Sequence, residues 1–263
     1  MQLKKGSTGK YVIQLQAALG LKTDGKFGPN TEKAVKEYQE VNGLESDGIV
    51  GAKTWEEINK TKYEYSLQQI YNTMHEKKYK WFKQGDYDVN IVGIRNSDTK
   101  GKVTNHYDDQ ITISYKLDED WHFHCWPATT DPGLHWIENP MNSTGGCAIL
   151  VPGQYNQVYK LDKHNGKYEA LCQRLGKVEV YRDGNKDDVY DYDEDSTQEG
   201  YFGINIHRSS AYKPSNYINK YSAGCQVFKD PDDFDEFIEI CKKASNQWGN
   251  KFTYTLLESK DIE

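Results

Sequence analysis

The sequence lacks the features that would place the protein in a membrane, on a nucleic acid or in a disulfide-rich fold. Its 263 residues contain no run of about 18 apolar residues, so we predict no membrane span. A formal net charge of −7 argues against general nucleic-acid binding, because that affinity comes from neutralising phosphates. The five cysteines form an odd set without a Cys-x-x-Cys pair, which fits neither a disulfide framework nor a zinc ribbon. At least one thiol should therefore be free.

The start of the chain also lacks a signal. The segment MQLKKGSTGKYVIQLQAALG has basic residues but not the uninterrupted apolar core of a signal peptide. We therefore expect the protein to be made in the cytoplasm, where reducing conditions keep thiols free. We also expect a monomer.

An internal repeat occupies the first 60 residues. TDGKFGPNTEKAV (Thr23 to Val35) aligns with SDGIVGAKTWEEI (Ser46 to Ile58), an offset of 23 residues. Each copy has an Asp-Gly turn, a second glycine and a threonine, followed by a helical pattern. We predict that Thr31 and Thr54 cap these helices. With a first helix around Val12 and Leu15, three short helices would enclose a small core.

These residues resemble the peptidoglycan-binding domain family, a three-helix module. The resemblance covers nearly all of residues 1–60 and implies a bacterial cell-wall ligand. It is carried by Gly6-Ser7-Thr8-Gly9, Val12, Leu15-Gln16, Leu19, Asp24-Gly25-x-Phe27-Gly28, Thr31, Ala34-Val35, Tyr38-Gln39, Gly43-Leu44, Asp47-Gly48-x-Val50-Gly51 and Thr54-Trp55.

From about Thr61 the pattern becomes tyrosine-rich and strand-like. A helix around Leu67–Met74 should open this region. Strand patterns bounded by turn residues follow at Val89–Arg95, Gln110–Leu117, Trp121–Trp126, Cys147–Gly153, Lys177–Asp183, Tyr201–His207 and Gly224–Phe228. A helix over Asp235–Lys243 and a strand over Phe252–Leu257 end the chain. We therefore predict an α+β protein, with a small three-helix bundle at residues 1–60 and a β-rich domain with a few helices at 61–263.

One segment of the larger domain has the parts of an acyl-transfer site. His207 ends an alternating strand, and Cys225 begins a short strand after Ser222-Ala223-Gly224. A small residue before the thiol lets its backbone amide approach an acyl oxygen. A neighbouring imidazole would lower the pKa of the thiol and supply a proton to the leaving group. We predict Cys225 as nucleophile and His207 as base and then acid.

The same segment resembles the L,D-transpeptidase catalytic domain family, whose signature is a histidine on one strand followed after a loop by Ser-His-Gly-Cys. His207, Ser222, Gly224 and Cys225 match this signature. The chain departs from it at three positions: Arg208 replaces a glycine, Ala223 the second histidine and Val227 an arginine. The wider pattern, STGGCAILVPGQY through FGINIHR to SAGCQVF, resembles endolysins of phages and related bacterial proteins that carry this fold.

The two resemblances together imply a phage-type endolysin. Such an enzyme binds peptidoglycan, cleaves its stem peptides through the Cys-His site and reaches the wall only after release from the cytoplasm. The alternatives are an L,D-transpeptidase that crosslinks peptidoglycan, or a non-catalytic wall-binding virion protein.

Four further residues are predicted to contact substrate. Arg208 and Ser209 follow the histidine, and a guanidinium suits a substrate carboxylate. His124 lies in the aromatic segment WHFHCW, and Asp131 follows it in the chain. We therefore place a substrate groove beside these residues.

Three other interpretations stay open. Cys147 follows Thr144-Gly145-Gly146 and is a rival nucleophile, although its continuation into AILVP favours a strand in the core. The histidines His122, His124 and His135 allow a zinc-peptidase reading. We expect no cofactor, but the segment DGNKDDVYDYDE places Asp183, Asn185, Asp187, Asp191 and Glu194 at calcium-loop spacing, with Asp188 where a glycine is expected.

Overall fold

The computed structural model describes residues 2–19, 21–41, 43–51, 53–55, 57–58, 65–141 and 145–262. The chain divides into two compact units, Met1–Glu64 and Tyr65–Glu263. The predicted boundary at residues 60 and 61, and Thr144 ahead of the rival cysteine, lie outside the described residues.

The N-terminal unit contains helices α1 (Lys10–Ala18) and α2 (Pro29–Val41). Residues 53–55 and 57–58 are also helical. Its core consists of the buried apolar side chains Leu3, Val12, Leu15, Phe27, Val35, Val50 and Ile58.

The sequence repeat in this unit is a repeat of hydrogen bonds around a buried glutamine. Gln16 Nε2 donates to Asp24 Oδ1 (2.8 Å) and to Thr31 Oγ1 (3.2 Å). Its Oε1 accepts from the amide of Gly25 (2.9 Å). The second copy has the same contacts from Gln39 to Asp47 (3.0 Å), Thr54 (3.1 Å) and Gly48 (2.9 Å). Each glutamine therefore ties a turn to the helix that follows it.

The prediction that the two threonines cap these helices is wrong. Helix α2 begins at Pro29, a residue favoured at the first helical position, so Thr31 already lies inside the first turn. Its hydroxyl donates to the carbonyl of Lys26 (3.5 Å), and Thr54 makes the equivalent bond to Ile49 (3.4 Å). Both threonines close the turn that precedes the helix.

The larger unit begins with α3 (Leu67–Glu76), which Ser66 and Gln69 cap reciprocally. Two more helices are α4 (Leu134–Glu138) and α5 (Pro231–Trp248). The strands are β1 (Asn90–Arg95), β2 (Asp109–Leu117), β3 (Asp120–Thr129), β4 (Cys147–Leu150), β5 (Gly153–His164), β6 (Tyr168–Gln173), β7 (Val178–Asp183), β8 (Gln198–Gly200), β9 (Ile206–Arg208), β10 (Gln226–Phe228) and β11 (Phe252–Glu258). The fold is mixed α+β with a β-rich larger unit, as predicted.

Eight of these strands close a barrel in the order β1-β11-β5-β6-β9-β10-β3-β2. The pairs β1–β11 and β9–β10 are parallel, and the other neighbours run antiparallel. The remaining strands form a three-stranded sheet in the order β4-β7-β8. The parallel pair β9–β10 brings together the two segments that sequence analysis singled out.

Helix α5 covers the barrel with an apolar face. Phe234, Phe237 and Cys241 are buried on it and join the core that contains Trp126 and Phe228. The helix is longer than the predicted Asp235–Lys243, because Asp230 caps it and Pro231 occupies its first turn.

Near the site, the strands differ from the sequence prediction in two places. The β5–β6 hairpin was not predicted, although Asn165 (φ 49°) and Gly166 (φ 72°) lie at the centre of its turn, where the amide of Lys167 donates to the carbonyl of His164 (2.9 Å). The strand predicted over Tyr201–His207 is shortened to β9, because Gly203 (φ 71°) turns the chain. The backbone before β9 therefore bends.

Candidate active site

The site lies where β9 and β10 pair in parallel. Val227 is opposite His207, and the amide of Gln226 donates to the carbonyl of Asn205 (2.9 Å). Cys225 therefore lies beside Asn205, two positions along the neighbouring strand from His207. The predicted nucleophile thus directly precedes β10, and the predicted base lies on the neighbouring strand β9.

A tight turn presents Cys225. Ser222 Oγ donates to the carbonyl of Cys225 (2.7 Å) and accepts from the amide of Gly224 (3.2 Å). Gly224 has φ +117°, and a Cβ at this position would lie 2.1 Å from the carbonyl oxygen of Ala148. Only glycine fits both the backbone angle and the space. Ser222 and Gly224 thus build the turn that positions the thiol.

The thiol of Cys225 lies between two backbone groups. Its Sγ accepts from the amide of Asn205 (3.5 Å) and donates to the carbonyl of Gly203 (3.4 Å). Burial raises the pKa of the thiol to about 11, and the Asn205 amide opposes this shift only in part. The expectation of a lowered thiol pKa is therefore wrong, since desolvation outweighs the stabilising groups.

His207 is buried, and its hydrogen bonds fix its tautomer. Nδ1 lies 2.8 Å from the carbonyl oxygen of Arg208, which can only accept, so Nδ1 carries the proton of the neutral ring. The hydroxyl of Tyr168 lies 3.3 Å from the same nitrogen. Burial, with a smaller contribution from nearby His164, lowers the pKa of His207 to about 3. The resting ring is neutral, with its free lone pair on Nε2.

Sequence analysis missed His164 and Tyr168, which surround this imidazole. The rings of His164 and His207 stack with centroids 4.1 Å apart and planes at 26°. His164 and Tyr168 are paired at the end of the β5–β6 hairpin. The Asn165-Gly166 turn was a sequence signal for this hairpin, whereas the pairing of β6 with β9 is visible only in the fold.

Two of the predicted substrate contacts, Arg208 and Ser209, follow His207 directly. The guanidinium of Arg208 lies over the ring of Tyr168 (4.5 Å) and 3.6 Å from Asp235 Oδ1. A groove of about 280 Å³ is lined by Tyr168, Glu169, Arg208, Phe234, Asp235, Ile238, Glu239 and Lys242. Ser209 instead bonds Phe228 (N to O, 3.1 Å) and Lys229 (Oγ to O, 3.0 Å). Arg208 thus borders a groove, whereas Ser209 joins its segment to the end of β10.

His124 lies on β3 and faces helix α5. Its ring stacks on Trp126 (5.2 Å), and its Nδ1 lies 3.5 Å from Glu236 Oε1. Within the described part of the chain, no three His, Cys, Asp or Glu side chains are grouped to hold a metal ion. The roles of His124 in substrate or metal binding stay predictions.

Asp131 is buried in an ion pair. Its Oδ1 lies 2.9 Å from Arg95 Nε, and its Oδ2 accepts from the hydroxyl of Tyr192 (3.5 Å). Burial raises the pKa of Asp131, and Arg95 opposes this shift. Its predicted substrate contact remains untested.

The acidic segment makes its own local hydrogen bonds. Asn185 Nδ2 donates to Asp187 Oδ2 (3.1 Å) and to Asp191 Oδ1 (3.4 Å). Burial and the neighbouring Asp191 raise the pKa of Asp183 to about 6. Calcium binding here stays a prediction.

The rival nucleophile, Cys147, is buried in β4. Its Sγ donates to the carbonyl of Trp136 (2.9 Å). Burial, with a smaller contribution from Asp183, raises the pKa of this thiol to about 12. Its geometry favours a core side chain over a nucleophile.

Comparison with known families identifies the N-terminal unit. Residues 8–58 match the family profile described as "Putative peptidoglycan binding domain". The chain therefore carries a peptidoglycan-binding domain at its N-terminus, as predicted, and this supports a cell-wall-related function. No curated protein matches the chain.

Three solved structures are similar to this chain at low TM-scores. The N-terminal domain of SleB is 37% identical, over 23% of this chain and 92% of that one, with a TM-score of 0.23. A fused Zn-dependent amidase/peptidase/peptidoglycan-binding domain-containing protein from Clostridium acetobutylicum ATCC 824 is 14% identical, covering 97% of this chain and 99% of that one (TM-score 0.24). An L,D-transpeptidase fragment from Xylanimonas cellulosilytica DSM 15894 is 16% identical over 97% of both chains (TM-score 0.20). Such low scores carry no argument about chemistry.

None of the helices in the described ranges is both long and apolar enough to cross a membrane.

Proposed function

We propose that the protein is a peptidoglycan hydrolase in which Cys225 and His207 cleave stem peptides by acyl transfer. One observation carries this proposal. It is that Cys225, the residue before β10, lies alongside the strand that contains the neutral imidazole of His207, in a chain that carries a peptidoglycan-binding domain. The peptidoglycan-binding domain supports the choice of substrate.

In the first half of the reaction, the sulfur of Cys225 attacks a carbonyl carbon of a stem peptide. The thiol proton passes to Nε2 of His207, whose Nδ1–H remains on the Arg208 carbonyl. The imidazolium then protonates the leaving amine as the carbon–nitrogen bond breaks, which leaves a thioester on Cys225.

In the second half, water attacks the thioester carbon. His207 Nε2 takes one proton from the water and returns it to the sulfur as the carbon–sulfur bond breaks. The products are a carboxylic acid and the free thiol, so the net change is the addition of one water to the peptide bond.

Both reacting groups are neutral at rest. The pKa of Cys225 is raised to about 11 and that of His207 is lowered to about 3, in both cases mainly by burial. The proton therefore moves as the sulfur attacks a bound substrate, without a thiolate–imidazolium pair in the free enzyme. This assigns His207 the role of a general base.

The oxyanion is assigned to the amide of Cys225. Of the two amides at this turn, that of Gly224 already donates to Ser222 Oγ. Within the described residues, the amide of Cys225 has no such intramolecular hydrogen bond. It therefore has a free N–H to offer a tetrahedral intermediate.

The finer expectations from the sequence are part of the same proposal. They are an N-terminal three-helix bundle, an L,D-transpeptidase-like catalytic fold and a lysin that reaches the wall after release from the cytoplasm. The chain departs from the transpeptidase signature at Arg208, Ala223 and Val227, and for this reason we propose hydrolysis rather than crosslinking.

The test is mass spectrometry of purified peptidoglycan fragments after incubation with the full chain. Wild type is compared with Cys225→Ala and with Cys125→Ser, a buried thiol that contacts Gln110 Oε1 (3.5 Å) and serves as the matched control. Parallel reactions contain EDTA or an added acceptor amine.

We expect wild type and Cys125→Ser to release hydrolysis fragments, which together exceed the substrate mass by one water, with or without EDTA. Cys225→Ala should release none. Amine-linked products in place of hydrolysis products would instead identify a transpeptidase. Cleavage that persists in Cys225→Ala or disappears with EDTA would overturn the cysteine mechanism.

A further inference from the structure

The stack of His164 on His207 joins the base to a second titratable ring. Their centroids are 4.1 Å apart and their planes are inclined by 26°. His164 ends β5, whereas His207 lies in β9, so the hairpin turn and the sheet together fix the contact. The stack limits the orientations open to the imidazole of His207.

Two side-chain amides, those of Asn205 and Asn165, face the ring nitrogens of His164. The amide of Gln173 donates to Asn205 Oδ1 (3.0 Å), which fixes the orientation of that side-chain amide. Its Nδ2 therefore points at His164 Nδ1 (3.1 Å) and donates to it. A proton on Nδ1 would face this N–H donor, so Asn205 favours the neutral ring with its proton on Nε2. On the other side of the ring, Asn165 Nδ2 lies 3.0 Å from Nε2, so a proton on Nε2 requires this exposed side-chain amide to turn its oxygen towards the ring.

The charged groups around the pair also favour a neutral His164. Burial lowers its pKa, and the nearby cations Arg174 and Lys167 lower it further. Tyr168 faces His207, and Arg208 lies over the ring of Tyr168 and beside Asp235. Asp162 pairs with Arg174, and the thiols of Cys172 and Cys225 lie near Tyr168.

The two rings cannot easily both carry a charge. His207 must become an imidazolium when it takes the proton of the thiol. A proton already on His164 would place a like charge about 4 Å away in a partly desolvated site, where repulsion is strong. A neutral ring at the same place keeps the stack without this repulsion.

We propose that His164 is a positioning residue for the base: its neutral ring orients His207, and its protonation opposes proton uptake by His207. The inference rests on the proposed function in taking His207 as the base. It adds a second histidine that sets the acid limit of the reaction.

The test compares wild type with His164→Phe, which keeps a stacked ring without a titratable group, and with His164→Ala, which removes the ring. The control is His75→Phe, an exposed histidine of α3 whose ring lies 6.3 Å from Tyr71. Rates of peptidoglycan cleavage are measured as a function of pH, and thermal unfolding reports whether each variant folds.

In wild type the cleavage rate should fall at low pH, on the acid limb of the pH–rate profile. We expect His164→Phe to lose this fall and keep its rate to lower pH, with a rate at pH 7 within about threefold of wild type. His164→Ala should lose about tenfold or more at every pH, because the base is no longer oriented. His75→Phe should follow wild type. A His164→Phe profile with the acid limb unchanged would overturn the proposal, as would equal losses in both His164 variants.

A second measurement needs no activity. Imidazole nitrogen NMR of the full chain should show His207 with its proton on Nδ1 and His164 with its proton on Nε2, and a higher His207 protonation midpoint in His164→Phe. If the NMR result is as expected but wild type does not cleave peptidoglycan, the proposed function is wrong and the coupling between the two rings is retained. A His207 midpoint that does not move would sink the inference even if wild type cleaves peptidoglycan.

Discussion

The backbone amide of Asn205 donates to the sulfur of Cys225 across 3.5 Å. The three preceding amides, those of Phe202, Gly203 and Ile204, all donate to Gln173 Oε1 (3.1, 2.8 and 3.1 Å). One buried glutamine therefore holds the bent segment against which the thiol rests.

Replacing this glutamine should loosen the site. Gln173→Leu would leave three amides without their acceptor, and we expect it to lower the free energy of unfolding by about 3 kcal/mol, because unsatisfied buried donors are costly. The matched control is Gln198→Leu, since Gln198 accepts an exposed hydrogen bond from Arg182 (3.0 Å). Urea unfolding gives the comparison, and equal effects of the two variants would contradict this role of Gln173.

The turn before the nucleophile should not tolerate a side chain. Gly224→Ala combines a positive φ with a Cβ 2.1 Å from the Ala148 carbonyl, so we expect a loss of at least about 2 kcal/mol in unfolding free energy. Gly153→Ala is the control, because nothing lies within 4 Å of a Cβ there. A Gly224→Ala protein as stable as Gly153→Ala would show that the described turn is not the one the protein adopts.

Buried His207 should make the protein less stable in acid. Its pKa falls from 6.5 in the unfolded chain to about 3 on folding, so folding favours the neutral ring. This stability is fully present above pH 6.5 and is lost as the pH falls from 6.5 towards 3. The difference in unfolding free energy between wild type and His207→Gln should fall by about 1.4 kcal/mol per pH unit in that window.

Urea unfolding at several pH values measures this slope. His75→Gln, at an exposed position, supplies the control and should follow wild type closely. A difference between wild type and His207→Gln that is independent of pH would contradict a buried neutral His207.

The N-terminal repeat offers an internal control. In wild type, the amides of Gly25 and Gly48 are each held by a buried glutamine, so both should exchange slowly with solvent. Gln16→Leu should speed hydrogen exchange at the Gly25 amide by about tenfold or more, because it removes a hydrogen bond that stabilises this turn by about 1–2 kcal/mol. The exchange rate of the Gly48 amide should stay nearly unchanged. Gln39→Leu should give the reverse pattern. Equal effects at both glycines would argue against two independent copies of this hydrogen-bonded turn.

Local patterns predicted much of this architecture. The 23-residue repeat indicated two equivalent turns, and alternating apolar residues indicated most strands of the barrel. The small residue before Cys225 indicated a tight turn, and Gly224 fills that role. These features depend on neighbours in the chain, so a sequence alone carries them.

The failures concern contacts between distant segments. Gln173 and Asn205 are 32 residues apart, and only the folded sheet shows that one bonds the other. The sequence also predicts a lowered pKa for the thiol, whereas burial raises it. This error has the same origin, because the burial of Cys225 depends on the whole barrel. His164 was missed because the Asn165-Gly166 turn was not recognised as a hairpin signal.

The central claim is that Cys225 carries the acyl group, and trapping that thioester tests it most directly. Wild type is mixed with peptidoglycan fragments, quenched in acid within a fraction of a second, digested and analysed by mass spectrometry. We predict that the peptide containing Cys225 gains the mass of a stem-peptide acyl group in wild type and Cys125→Ser, and that Cys225→Ala yields neither adduct nor cleavage. Cleavage by Cys225→Ala, or an adduct on a different cysteine, would contradict the account.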